Sequence, residues 1–395
     1  MKKVFYLTKV MILLILSAFC LQSCSQDWSW VIEPQFDRAE DFSEGIARVQ
    51  IDEKWGYIDK TGAWIAEPQF DNANDFSDGI ALVMINGKIG FIDNTGKFIA
   101  EPQFTEYSDF NEGIAAVKIN NVWKYIDKTG KWITESEFTF AAKFSEGIAF
   151  VALPNGTWGF IDKTGAWYEP LQELSQKYKS VGVIFTDGLL KVIQEDKKIG
   201  FIDKNCVLVI PFQEFEIAYS FSDEMAVIKK NGKFGYINKS GELVIQPQFD
   251  YADDFKDGIA RVQQNEKWGY INKSGNFIVE PQSENALWNF TEGLASVKID
   301  GRYGYIDKTG AWIIQPQFIN ANPFSEGLAI VQSEGKLGYI DKNGTWVATL
   351  DDNSSTFSTV DDINNSVNLK FYGDFKEGLA VLRKGSKYGY IRIKN

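Results

Sequence analysis

The chain of 395 residues contains no histidine. That absence excludes Ser/His/Asp and Cys/His nucleophile systems, His-ligated zinc or haem, and an imidazole switch near neutral pH. Cysteine is scarce, with only Cys20, Cys24 and Cys206, so no disulfide framework is readable. Positive charge is in deficit: 41 Lys plus Arg stand against 53 Asp plus Glu, a net charge of −12. Binding of nucleic acid through the overall field is therefore disfavoured. Helical periodicity is missing over any useful length, and no apolar run is long enough to cross a bilayer. What the chain does have is aromatic residues, 15% of the total, which is too many for disorder.

The N-terminus carries Lys2, Lys3 and Lys9, then an apolar run from Val10 to Leu16 and small residues before a cysteine. This reads as a secretory signal peptide. Leu21, Gln22, Ser23 and Cys24 resemble a bacterial lipobox. By that resemblance residues 1–23 are removed, Cys24 becomes the lipidated N-terminus and 24–29 form a tether. An ordinary secreted protein cleaved near the same place is the alternative. The expected location is then the cell envelope, as a membrane-anchored lipoprotein at the outer membrane or cell surface. Residues 1–23 contain three Lys and no acid, so the mature charge is −15. Cys206 is left alone, without a thiol partner for a disulfide or a metal.

Beyond residue 30 the chain is one repeated unit. The segment FSEGIARVQIDEKWGYIDKTGAWIAEPQF (42–70) recurs as FSDGIALVMINGKIGFIDNTGKFIAEPQF (76–104) and in further copies. A shared Gly, or Glu224 in its place, marks ten repeats at Gly45, Gly79, Gly113, Gly147, Gly188, Glu224, Gly258, Gly293, Gly327 and Gly378. The usual spacing is about 34 residues, and two longer steps place insertions near 169–183 and 348–372. Each unit reads as a meander of three short strands. Ile46 to Ile51 alternates with period two, Trp55-Gly56-Tyr57-Ile58 follows a polar turn, and Asp59-Lys60-Thr61-Gly62 fits a type I turn. A third strand, Trp64 to Ala66, is expected to stop at Pro68, which has no N–H to donate.

Several columns are nearly invariant among the repeats. Phe stands three residues before the shared Gly position in all ten, Ile58 has nine Ile equivalents, and Tyr57 is always Tyr or Phe. One unit cannot bury such faces alone, so each needs its neighbours. In the frame K-W-G-[YF]-I-D-K-[TS]-G, the pairs Trp55-Gly56, Trp158-Gly159 and Trp268-Gly269, with variants such as Ile89-Gly90 and Tyr303-Gly304, resemble the WG-containing repeat family of bacteria. The resemblance covers residues 30–393. It implies an all-β fold, frequent occurrence in exported lipoproteins and no general enzymatic activity. More distantly, the aromatic hairpins are similar to cell-wall-binding repeats that hold choline or glycan. Lys124 and Glu224, each in place of Gly, and Cys206 at a turn Gly are departures that predict locally altered turns.

The chain opens on a third-strand segment at Trp30 and closes on a second-strand segment at Ile391. A ring completed by the N-terminal strand and an open superhelix therefore use equally many strands. Since propellers typically have four to eight blades of four strands, an open, solenoid-like array of ten three-stranded units is the favoured expectation, with a closed propeller-like ring as the alternative.

The chemistry is sparse. The residue before the shared Gly position is acidic in every repeat, from Glu44 to Glu377. Ten equivalent acids supply neither a converging calcium loop nor a singular catalytic pair, so turn residues accepting backbone N–H groups are expected. A basic residue precedes the Trp-Gly position in eight repeats, Lys54 among them, and reads as a solvated hairpin turn. Trp64, Trp132, Trp167, Trp312 and Trp346 share one third-strand position and form the candidate ligand surface, since displayed aromatic faces stack on sugar rings. Leu208 and Leu243 at the same position point instead to core. The freely varying column Arg48, Leu82, Ala116, Phe150, Lys191, Val227, Arg261, Ser296, Ile330 and Val381 is a second candidate face. The expected protein is a non-enzymatic, lipid-anchored repeat protein without cofactor or metal. Its partner is an envelope protein, or alternatively a glycan, and the membrane is engaged through the lipid on Cys24.

Overall fold

The computed structural model describes residues 27–283, 289–334, 336–350 and 373–394. The expected signal peptide, Cys24 and most of the second insertion lie outside them.

The first repeat shows how a unit is built. Ile46–Ile51, Lys54–Asp59 and Trp64–Phe70 form an antiparallel meander, and a two-residue strand, Arg38–Ala39, pairs on the other side of Ile46–Ile51. The unit is thus a sheet of three main strands plus a short fourth contributed by the connector. The second and third strands do not pair evenly. Trp55 faces Phe70 and Tyr57 faces Ala66, so Gly56 alone stands opposite Glu67, Pro68 and Gln69. Pro68 sits in this bulge, where its missing N–H leaves no ladder bond broken. The bulge presses on Gly56: a Cβ there would lie 2.7 Å from the Ala66 carbonyl oxygen and 2.8 Å from the Pro68 nitrogen. The Gly of the Trp-Gly pair is therefore required by packing.

Two blades lack a regular third strand. Lys124 replaces this Gly in the third repeat, and 132–138 keeps only isolated bridges, Ile126 with Trp132 and Trp123 with Phe138. In the fourth, the first insertion supplies a 3-10 turn, Glu169–Leu171, and a one-turn helix, Leu174–Lys177, which bury Leu171 and Leu174 against the sheet. The expectation of three strands in every unit fails at these two.

The open array is also overturned. Trp28–Phe36 pairs with Lys387–Ile393 through Trp28 with Ile393, Ser29 with Arg392, Trp30 with Ile391, Ile32 with Tyr390 and Phe36 with Tyr388. The N-terminal strand, which begins inside the segment read as a tether, thereby becomes the third strand of the last sheet. At this seam Ile32, Phe36, Val381, Tyr388 and Tyr390 pack with Phe42, Ala47, Val49 and Ile58 of the first repeat. The same positions pack between the first and second repeats, where Tyr57, Ala66 and Phe70 meet Phe76, Ala81, Val83 and Ile92. The core thus lies between sheets, and closure packs the face of the last sheet on the first. Strand count alone could not separate the two arrangements; pairing of the chain ends does. The fold is a ring of ten blades, a β-propeller.

Candidate functional site

The acidic column builds the lock between blades. All ten acids adopt positive φ, about +50 to +60, and nine are followed by Gly at about +80. Two successive left-handed residues make the tight turn into the first strand, a conformation costly for Glu and Asp. The gain is reach to the next blade. The Glu44 carboxylate accepts the N–H groups of Asp78 and Gly79 at 2.6 and 2.8 Å. Glu112 accepts Gly147, Glu146 accepts Gly188, Asp187 accepts Glu224, Asp223 accepts Gly258, Glu292 accepts Gly327 and Glu326 accepts Gly378. Glu377 accepts Gly45 and closes the circle. Eight of the ten acids thus accept backbone N–H groups, but in the neighbouring turn.

A Lys from the second turn of the following blade adds an ion pair at most junctions, as in Lys60 with Glu377, Lys163 with Glu112 and Lys342 with Glu292. At Asp78 and Asp257 the partners are Lys128 and Lys308. Burial pushes the Glu112 carboxyl up, yet the Lys163 ammonium and the Gly147 N–H outweigh it and hold it below the usual range. A second lock runs from the buried Tyr column to the connector of the following blade. Tyr57 donates to the Asn74 carbonyl, Tyr125 to Ala142, Tyr236 to Asp253, Tyr305 to Asn322 and Tyr390 to Glu40. The basic hairpin residues also brace connectors: Lys54 pairs with Asp71, Lys233 with Asp250 and Lys387 with Asp37. The Lys387 hydrogen bond holds the Asp37 carboxyl low.

The Trp column is only partly displayed. Trp64 and Trp132 are 39% and 38% exposed, whereas Trp167, Trp312 and Trp346 are half-buried. Each of three packs its edge on the Phe that ends the preceding blade's third strand: Trp64 on Phe36, Trp132 on Phe104 and Trp346 on Phe318, at 6.1 to 6.4 Å between centroids. Trp167 and Trp312 lie against Gly159 and Gly304. The second candidate face is corrected. Leu82, Ala116, Val227, Ser296, Ile330 and Val381 are buried between blades, because this column opposes the buried Tyr column and side-chain size there follows local packing.

The surface that varies in solvent is the connector. Arg38, Asn72, Glu106, Phe140, Ser180, Ile217, Tyr251 and Asn320 share one position, and most are exposed. In the seventh blade Tyr251 is 45% exposed and packs on Trp268 with centroids 5.5 Å apart and on Phe234 at 6.0 Å. Arg261 lies over Trp268 at 5.9 Å and is bound through its Nε to Asp253 at 2.5 Å. At the seam, a cavity of about 400 Å³ is lined by Arg38, Glu40, Asp41, Gly373 and Tyr388. Burial, followed by the Asp374 charge, pushes the Asp41 carboxyl up to about 6. Among the described residues no group of three or more Cys, Asp or Glu side chains is arranged to hold a metal ion.

Ten sheets closed into a ring, with one repeated turn carrying a lock at most junctions, define a β-propeller made of a single tandem repeat. The chain belongs to the WG containing repeat family, whose pattern matches residues 29–55, 55–88, 89–123, 125–156, 199–234, 234–268, 268–303 and 303–336. No curated protein matches the sequence. Among solved structures, a eukaryotic initiation factor aligns over 77% of this chain and 96% of its own at 10% identity with a TM-score of 0.47. BamB from Moraxella catarrhalis aligns over 82% and 96% at 10% identity with a TM-score of 0.32. These likenesses are too low to bear on function, and ring closure rests on the pairing of Trp28–Phe36 with Lys387–Ile393.

Proposed function

We propose that the protein is an exported, lipid-anchored and non-enzymatic binding ring that presents its connectors to a protein of the cell envelope. One observation carries this reading: the locks fix the connectors from both sides, while the residue at the position of Arg38 and Tyr251 differs in charge, size and polarity from blade to blade. A rigid frame with a variable exposed rim suits recognition. The acids repeated in every blade support the non-enzymatic part, being engaged in backbone hydrogen bonds or Lys pairs. The lipobox-like segment ending at Cys24 supports the anchor.

Photo-crosslinking in the native cell tests the surface. A crosslinker at Asn72 on a connector is expected to trap one discrete protein that a crosslinker at Thr61, on the Asp59–Gly62 turn, does not trap. Identical adducts from both positions, or none from Asn72, contradict the reading. Palmitate labelling tests the anchor, and an unlabelled Cys24 removes it.

A further inference from the structure

We propose that the seventh blade carries a binding site for a neutral saccharide, formed by Tyr251, Trp268, Asp253 and Arg261. It goes beyond the protein-binding role and shares only the premise that the connector rim binds. Tyr251 and Trp268 meet at 63°, so together they form an angled aromatic shelf with Tyr251 open to solvent. Tyr219, 47% exposed, stands near Tyr251 and extends the aromatic surface toward the sixth blade.

The polar groups beside the shelf narrow the ligand class. The Asp253 carboxylate and the Arg261 guanidinium are bound to each other, which fixes both and leaves the pair without net charge. A pyranose has an axial C–H face that packs on an aromatic ring and hydroxyls at its edge that pair with a carboxylate and a guanidinium. A small aromatic surface bordered by one fixed donor–acceptor pair matches that division, with few polar groups setting orientation. The Asp253 charge, partial burial and a hydrogen bond to Asp253 raise the Tyr251 phenol, so the exposed ring is tied to the Asp253–Arg261 pair. The chain's charge of −12 disfavours an anionic polymer.

Other blades separate the two ingredients. The fourth has the rings, with Phe140 on Phe150 at 6.0 Å and Phe150 on Trp158 at 5.3 Å, but Ala142 and Phe150 take the places of Asp253 and Arg261. The first has Arg48 near Glu40 and over Trp55, but Trp55 is buried and its connector has Arg38 where the seventh has Tyr251. The fourth blade is thus an internal control.

The test is titration of the full chain with chitotetraose, cellotetraose, maltotetraose and, as an anionic comparison, tetragalacturonate, read by calorimetry and tryptophan fluorescence. At least one neutral tetramer is expected to bind saturably. Tyr251→Ala is expected to weaken it about tenfold, Asp253→Asn to weaken it less, and Phe140→Ala to leave it unchanged. Tyr251→Phe, which keeps the ring, controls for folding and is expected to retain most of the affinity. No binding by any neutral tetramer, binding of tetragalacturonate alone, or undiminished binding by Tyr251→Ala overturns the proposal. Crosslinking from Asn72 is read independently, so the failure of this site and the failure of the protein-binding surface are distinguishable.

Discussion

The Glu377 carboxylate accepts the Gly45 N–H at 2.8 Å, across 332 residues of sequence. The same carboxylate holds Lys60, also at 2.8 Å. This is the contact that Glu44 makes with Gly79 one blade on, so the seam is built like an ordinary junction. Replacing Glu377 with Ala strands the Gly45 N–H and removes the Lys60 partner. The expected cost is about 1–3 kcal/mol, read as a lowered urea midpoint. Asp257→Ala, which breaks only the looser pair with Lys308 at 3.7 Å, is expected to cost less than about 1 kcal/mol.

The Trp-Gly signature predicts a steep packing cost. In the sixth blade a Cβ on Gly235 would sit 2.5 Å from the Ile245 carbonyl oxygen and 2.7 Å from the Pro247 nitrogen, both backbone atoms. Gly235→Ala is expected to destabilise by about 3 kcal/mol or more, with loss of amide protection in 243–249. The third blade, with Lys124 at this place, already shows the outcome as a missing third strand.

How much of this was legible follows from what each residue touches. The repeat, its strands and the turn at Asp59 were readable because their interactions are local: the Asp59 carboxylate binds Thr61 and Ala63 within the same turn. The acids were readable as N–H acceptors, but the donor is in the next blade, and no local pattern says which turn lies alongside. Closure was illegible for the same reason, since Trp30 meets Ile391 only in three dimensions. Variation in one column is compatible with a recognition face or with tolerance, and only the packing decides: Ala116 and Ile330 vary in a buried seam whose size differs by blade.

Asp41 predicts a pH dependence. Its carboxyl is raised to about 6 by burial first and then by Asp374, with Glu40 and Asp75 adding and Lys376 opposing. The folded state therefore binds more protons than the unfolded one between about pH 4 and 6. Stability from this group falls as pH rises through that window and stays lower above it. Asp41→Asn is expected to raise stability at pH 7.5 by about 1–2 kcal/mol, with no gain below about pH 4, measured by denaturation at both values.

For the Trp column, the contact of Trp132 with Phe104 predicts a packing role. Trp132→Leu reproduces what blades five and six have at Leu208 and Leu243. A loss of about 1–2 kcal/mol with unchanged oligosaccharide titration is expected. Loss of saccharide binding without a shift in the thermal midpoint contradicts it.

Closure of the ring is tested most directly by trapping its ends. Ser29 and Arg392 are exposed, paired residues on the first and last strands. Opposed residues of antiparallel strands lie about 4.5–5.5 Å apart at Cα, within the range a disulfide spans. With Ser29→Cys and Arg392→Cys introduced together and Cys206→Ala removing the native thiol of the ring, mild oxidation is expected to join positions 29 and 392 within one chain, seen by peptide mass mapping. An open array holds these positions far apart, so two thiols that stay free to alkylation in the folded protein contradict the closed ring.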